Sequence, residues 1–132
     1  MPTRDEVKRW AEAYRVAWEN ADSEAAAALF TENSSYRSNI YEEPHKGRAG
    51  VIDYWSGVTS VQSDLTVRMG EPVIDDARAD VEFWTTMSIE NAPVTLAGCL
   101  LLRFDDKGLC TDLREYWNLI EGTHLPPVGW GR

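Results

Sequence analysis

Basic residues are in short supply. Thirteen Lys and Arg stand against 22 Asp and Glu, a formal net charge of −9 over 132 residues. Nucleic acid and anionic membrane surfaces both call for a basic face, so neither is expected as a main partner. Long apolar runs are missing as well, and no stretch approaches the roughly 20 residues of a membrane span. The opening residues, Met1 to Glu6, lack the apolar run of a signal peptide, which sets the expectation of a cytoplasmic protein. Cys99 and Cys110 are the only cysteines, and without an export signal they are expected to be reduced rather than bridged. Asn33-Ser34-Ser35 spells a glycosylation acceptor, which without secretion is a chance match. His45 and His124 are the only histidines, and with the two cysteines they give no zinc-ligand spacing, so no metal is expected. Gly47 and Gly50 match neither a phosphate loop nor a dinucleotide fingerprint, and Gly-x-Ser-x-Gly does not occur. No cofactor is expected either.

What remains is an ordinary globular composition, 43% hydrophobic and 27% charged, which can build one sizeable core. A single domain over 1–132 is expected, with helices over about 4–59, a sheet over about 62–120 and a tail over 121–132. Thr3 and Glu6 form a capping box. Behind them Val7, Trp10, Ala11, Tyr14, Ala17, Trp18 and Ala21 fall at steps of three and four and make one apolar helical stripe. Asp22 can cap a short second helix. Ser34 to Ile40 reads as a short strand, Glu42 to Gly47 as loop, and a third helix carries Val51, Ile52, Trp55 and Val58 on one side.

From about residue 62 the period falls to two. Val81, Phe83, Thr85, Met87 and Ile89 share one face, and Asp80, Glu82, Trp84, Thr86 and Ser88 the other. Leu96 to Phe104 reads as a strand buried on both faces, Asp105 to Gly108 as a hairpin turn, and Leu109 to Ile120 as the last strand. Helices followed by antiparallel strands make an α+β fold. A strongly bent sheet wrapped around the helices would leave a cavity on its concave face if side chains do not fill it.

Five segments together resemble the SnoaL-like and ketosteroid isomerase-like branch of the nuclear transport factor 2-like superfamily, over roughly residues 7 to 120. They are Tyr14 to Asp22, Ala28-Leu29-Phe30, Glu43-Pro44-His45-Lys46-Gly47, Leu102-Arg103-Phe104-Asp105 and Glu115-Tyr116-Trp117. The resemblance implies a cone-shaped, curved, mixed or antiparallel sheet around three N-terminal helices, a hydrophobic pocket inside the cone, and a homodimer. Fold does not fix function, so the residues must decide.

Tyr14 sits where ketosteroid isomerases carry their pocket tyrosine. Ser38 and Leu100 stand at the positions of their two aspartates, so that activity is not expected. The segment Arg114 to Trp117 is similar to the last strand of limonene epoxide hydrolase-like enzymes, with Glu115 at the acid position. The Arg and Asp those enzymes carry on a central strand are absent among Val81, Phe83, Thr85 and Met87.

Strand parity puts Leu113, Glu115 and Trp117 on one face. If Trp117 lines the pocket, Glu115 does too, and a carboxyl among apolar walls is driven to a raised pKa suited to proton transfer near neutrality. Pairing of Glu115 with an arginine, or a place at the wet rim, stays open as the alternative. His45, in a loop beside the pocket mouth by resemblance, is a second acid–base candidate, against a plain solvated loop histidine. Trp18, Tyr36, Ser38, Trp55, Phe83, Met87, Leu100, Leu102 and Trp117 are the expected walls.

Two readings follow. One is a cofactor-free acid–base enzyme of isomerase, cyclase, dehydratase or hydrolase type acting on an apolar small molecule, with Glu115, Tyr14 and His45 as its chemistry. The other is a non-catalytic binding protein or dimeric scaffold. Trp84, Leu101, Arg103, Arg114 and Tyr116 fall on the opposite face of the sheet, where Trp, Tyr and Arg favour a homodimer interface. Cover by the tail, with Trp130 folding back, is the alternative for that face.

Overall fold

The computed structural model describes residues 1–132. Helix α1 spans Arg4–Glu19, and the Thr3 side chain accepts a hydrogen bond from the Glu6 amide at 3.1 Å. Its stripe is buried from Val7 to Trp18, but Ala21, expected to continue it, lies past the helix end and is exposed. Helix α2, Ser23–Ala27, starts where the Asp22 carboxylate accepts from the Ala25 amide. Helix α3 covers Gly47–Thr59 and buries Val51 and Trp55.

The strands are β1 Phe30–Arg37, β2 His45–Lys46, β3 Gln62–Met69, β4 Val73–Asp75, β5 Arg78–Ile89, β6 Ala92–Phe104 and β7 Cys110–Glu121. They form one sheet in the order β2-β1-β7-β6-β5-β3, with β4 beside β5. The β1–β7 pair is parallel and every other pair is antiparallel, so the sheet is mixed. One cluster of 21 buried side chains joins the inner face of this curved sheet to all three helices. The fold is α+β, as the change of period indicates.

Three local expectations change. The first strand begins at Phe30 and ends at Arg37, four residues ahead of the expected Ser34 start. It pairs there with the beginning of β7, at Phe30↔Cys110, so a tertiary partner sets its length rather than local propensity. His45-Lys46 is not loop but a short edge strand on β1, with Tyr36 opposite His45. Strand β6 is not buried on both faces: Leu100 and Leu102 are, whereas Leu101 is half-buried and Arg103 exposed.

The concave face forms as the alternation requires. Val81, Phe83, Thr85 and Met87 all point inward and are buried. Gly98 lies opposite Trp117 on β7 and Phe83 on β5. A Cβ there would sit on the Tyr116 carbonyl oxygen and 2.9 Å from the Phe83 ring, so only glycine lets the strands close at this point.

Candidate functional site

Glu115 comes from the middle of β7. Leu100 of β6 lies across from it, and its neighbour on the same face, Leu113, is fully buried. The inward parity therefore holds, and Glu115 is only 9% exposed. It stands at one wall of a cavity of about 60 Å³. Tyr14 and Trp18 of α1, Tyr36 of β1, and Tyr54 and Trp55 of α3 supply the aromatic walls. Val58, Thr59, Gln62 and Leu96, all half-buried, complete the lining.

The rings pack edge to face rather than filling the space. Tyr14 meets Trp55 with centroids 5.2 Å apart at 85°, and meets Trp18 at 6.3 Å and 78°. The polar edges of the aromatics converge. The Tyr14 and Tyr36 hydroxyls lie 3.1 Å apart, and the Trp55 indole N–H donates to the Tyr36 hydroxyl at 3.4 Å. Indole can only donate, so the Tyr36 oxygen is an acceptor toward Trp55 and its own proton is free to point at Tyr14 or Glu115. At the other side of the cavity the Trp18 indole donates to the Gln62 Oε1 at 3.0 Å, which leaves the Gln62 amide hydrogens as donors.

Burial pushes the Glu115 carboxyl up to about 8, with the nearby Tyr36 hydroxyl acting in the opposite direction. The Tyr14 and Tyr36 hydroxyls are raised well above their ordinary value, chiefly by burial and further by the charge of Glu115. Tyr54 is raised by burial, against the pull of the Ser38 hydroxyl. The tyrosines therefore stay protonated as donors, and Glu115 is the cavity group that changes charge near neutrality.

The expected site residues divide. Glu115, Tyr14, Trp18, Tyr36 and Trp55 meet at the cavity. Phe83, Met87, Leu100 and Leu102 are buried but line no part of it. Phe83, Leu100 and Leu102 belong to the core cluster, with Phe83 edge-on to Trp18 at 5.7 Å. Ser38 is buried beyond the end of β1, its carbonyl accepting from the Trp117 indole at 2.6 Å. Trp117 shares the face of Glu115 but not its hollow, and 43% of it is exposed. The pairing of β1 with β7 stops at Arg37↔Arg114, so beyond that point β7 has no strand on its β1 edge. His45 is outside the cavity too. Its ring stacks on Tyr54 at 4.4 Å, on a residue that is itself a wall, so it supports the site from behind.

Tyr54, Val58, Thr59, Gln62 and Leu96 were not read from the sequence as site residues. Tyr54 lies three residues after the buried Val51 on α3 and could have been weighed from that spacing. Gln62 carries no local signal, since its role depends on an indole 44 positions away.

On the outer face, Trp84 is not free. Its indole donates to the His124 carbonyl at 2.9 Å, and Trp130 packs edge-on to it at 6.0 Å. The tail is fastened further by the Gly131 amide to Glu82 and by the Glu71 amide to the Gly131 carbonyl. Leu101 and Arg114 are half-buried, and Arg103 and Tyr116 are exposed.

The family model of the SnoaL-like domain matches residues 8–113. No curated protein matches the chain. Among solved structures, an LEH-like epoxide hydrolase of M. tuberculosis is similar at 21% identity and a TM-score of 0.72, over 89% of this chain and 86% of that one. SalBIII, an epoxide hydrolase/cyclase-like enzyme in pyran ring formation in polyether salinomycin, is similar at 18% identity and a TM-score of 0.76, over 91% and 100%. A hypothetical protein of Catenulispora acidiphila DSM 44928 with a ketosteroid isomerase-like fold matches at 18% and 0.74, over 87% and 86%. At such identities the likeness is one of fold.

Proposed function

The chain belongs to the SnoaL-like domain family, and from that premise we propose that it is a cofactor-free acid–base catalyst acting on a small apolar molecule. The observation that carries this reading is the Glu115 carboxyl, buried in an aromatic hollow and raised to about 8. A carboxylic acid so placed is mostly protonated at neutral pH and can give a proton to substrate oxygen or carbon. The carboxylate left behind then takes the proton released by the product or by the attacking hydroxyl. The Tyr14 and Tyr36 hydroxyls, 3.1 Å apart, supply donors for negative charge that develops on the substrate. Trp55 orients Tyr36 by its own N–H.

Isomerisation, cyclisation, dehydration and hydrolysis all fit this proton traffic. Two of the similar structures are described as an epoxide hydrolase and an epoxide hydrolase/cyclase-like enzyme, which supports opening of a C–O bond as the first chemistry to assay. The second reading is a binding protein without turnover. That reading includes a plain dimeric scaffold, which the volume of the hollow, about 60 Å³, favours, because the space takes only a few heavy atoms or waters.

Apolar small molecules and simple epoxides are screened by thermal shift, because a ligand that binds only the folded form raises its stability. Hits are then assayed for turnover with wild type and with Glu115→Gln. Turnover by wild type and its loss in the variant supports the catalytic reading. Turnover that survives the substitution removes Glu115 from the chemistry, and binding without any turnover favours the second reading.

No helix is long and apolar enough to cross a membrane. A cytoplasmic location, a single domain, and the absence of nucleic-acid and membrane partners belong to this proposal. So does a homodimer through the part of the outer face that the tail leaves open, around Leu101, Arg103, Arg114 and Tyr116. A light-scattering mass near the 14.9 kDa of one chain would count against the dimer.

A further inference from the structure

Glu115 borders two spaces, not one. Besides the aromatic hollow it lines a cleft of about 440 Å³ formed by Asn39, Ile40 and Tyr41 on one side and by Tyr116, Trp117 and Asn118 on the other. The cleft follows from the topology. Strand β1 leaves β7 after Arg37↔Arg114, and the chain turns through residues 38–42, so the next stretch of β7 keeps a neighbour only in β6.

The Trp117 side of the cleft is held in place. The Trp117 indole is held by its N–H to the Ser38 carbonyl at 2.6 Å, yet 43% of the residue stays exposed, so it presents a fixed flat plate. Asn39 Oδ1 accepts from the Tyr41 amide at 3.0 Å, which turns the Asn39 amide hydrogens away as donors. Asn118, which is exposed, adds a second amide, and Tyr41, 95% exposed, adds a second ring. Neither space is lined by a Lys or Arg, so nothing there would neutralise a carboxylate or phosphate. The hollow is too small for a ring system, and the cleft is several times larger.

We propose that the cleft is a binding subsite for a flat, neutral ring bearing hydrogen-bond acceptors. The molecule Glu115 acts on then has two parts: the ring lies against Trp117, and a small apolar group enters the hollow. The two-part substrate rests on the acid–base reading above, whereas ring binding in the cleft does not.

Benzamide is the probe, a flat neutral ring with a carbonyl acceptor. It is titrated into ¹⁵N-labelled protein and followed by the indole and side-chain amide signals. Saturable shifts are expected at the Trp117 indole and at the Asn39 and Asn118 amides, with the Trp18 and Trp55 indoles unmoved. Trp117→Ala is expected to weaken binding about two- to twelvefold, the worth of one aromatic contact. Trp117→Phe, which keeps a ring, guards against a folding defect and is expected to retain most of the affinity.

Shifts confined to Trp18 and Trp55, no saturation up to the solubility limit, or unaltered affinity in a folded Trp117→Ala would each overturn the subsite. Glu115→Gln separates the two ideas. If it abolishes turnover while benzamide fails to bind wild type, the subsite falls and the acid–base reading stands. If it leaves turnover intact while benzamide binds the cleft, the subsite stands and the acid–base reading falls.

Discussion

The Tyr14 hydroxyl of α1 and the Tyr36 hydroxyl of β1 lie 3.1 Å apart, both fully buried, beside a carboxyl from β7. Three elements far apart in the chain thus bring one polar tip each to a single point in an apolar core. Buried polar groups that meet in this way are costly unless they satisfy one another. The arrangement is therefore sensitive to single-atom changes.

Stability should fall as pH rises from about 4.5 to about 8 because of Glu115. The folded protein keeps this proton up to about 8, whereas the unfolded chain releases it near the usual 4.5. The contribution is complete below the lower value and lost as pH climbs through the upper one, at about 1.4 kcal/mol per unit in between. Glu115→Gln, always neutral, should flatten this slope and be the more stable protein above about pH 8. Denaturant melts of both proteins across that range check it, and parallel pH curves would contradict it.

Turnover of any substrate found should drop about 100-fold or more in Glu115→Gln, the usual worth of a positioned acid or base. The rate of the wild type should follow one ionisation near 8. A pH–rate profile without that ionisation would assign the chemistry to another group.

Tyr36→Phe should destabilise the fold by about 1–3 kcal/mol, because it leaves the buried Trp55 N–H without its acceptor. It should also raise the Glu115 pKa further, since the Tyr36 hydroxyl holds it down. Tyr14→Phe should cost less, as the Tyr14 hydroxyl meets only Tyr36. NMR titration of Glu115 in the two variants distinguishes them, and equal effects would mean that Tyr36 has no special place.

Gly98→Ala should cost about 3 kcal/mol, at the upper end for overpacking, since its Cβ would collide with backbone at Tyr116 and Trp117 and with the Phe83 ring. Gly57→Ala, where a Cβ meets nothing within 4 Å, should be neutral or slightly stabilising. Thermal melts of the pair test whether the strand approach at residue 98 is as tight as the geometry indicates.

Removal of residues 122–132 should lower stability by about 2–4 kcal/mol. It deletes the hydrogen bonds from Trp84 to His124 and between Gly131 and Glu71 and Glu82, together with the Trp130 ring over Trp84. An unchanged denaturation midpoint would mean that the tail lies on the sheet without holding it.

Periodicity alone placed several features. The α1 stripe from Val7 to Trp18 and the inward set Val81, Phe83, Thr85 and Met87 follow from steps of 3.6 or two residues, which the backbone imposes on any chain, whereas the step of two only ties Glu115 to the face of Leu113 and Trp117, and the family resemblance chose that face as the inner one. The order of helices and strands then left few ways to close one core. Other features depend on partners that local sequence does not reveal. The start of β1 is set by Cys110, and the place of Trp117 by where β1 ends. Tyr54, Gln62 and Leu96 became cavity walls, and Phe83 and Leu102 did not, because that division depends on how the helices sit across the bent sheet. Side-chain direction is a local property of the backbone. Whether the space it points into is filled, wet or empty is a property of everything packed around it.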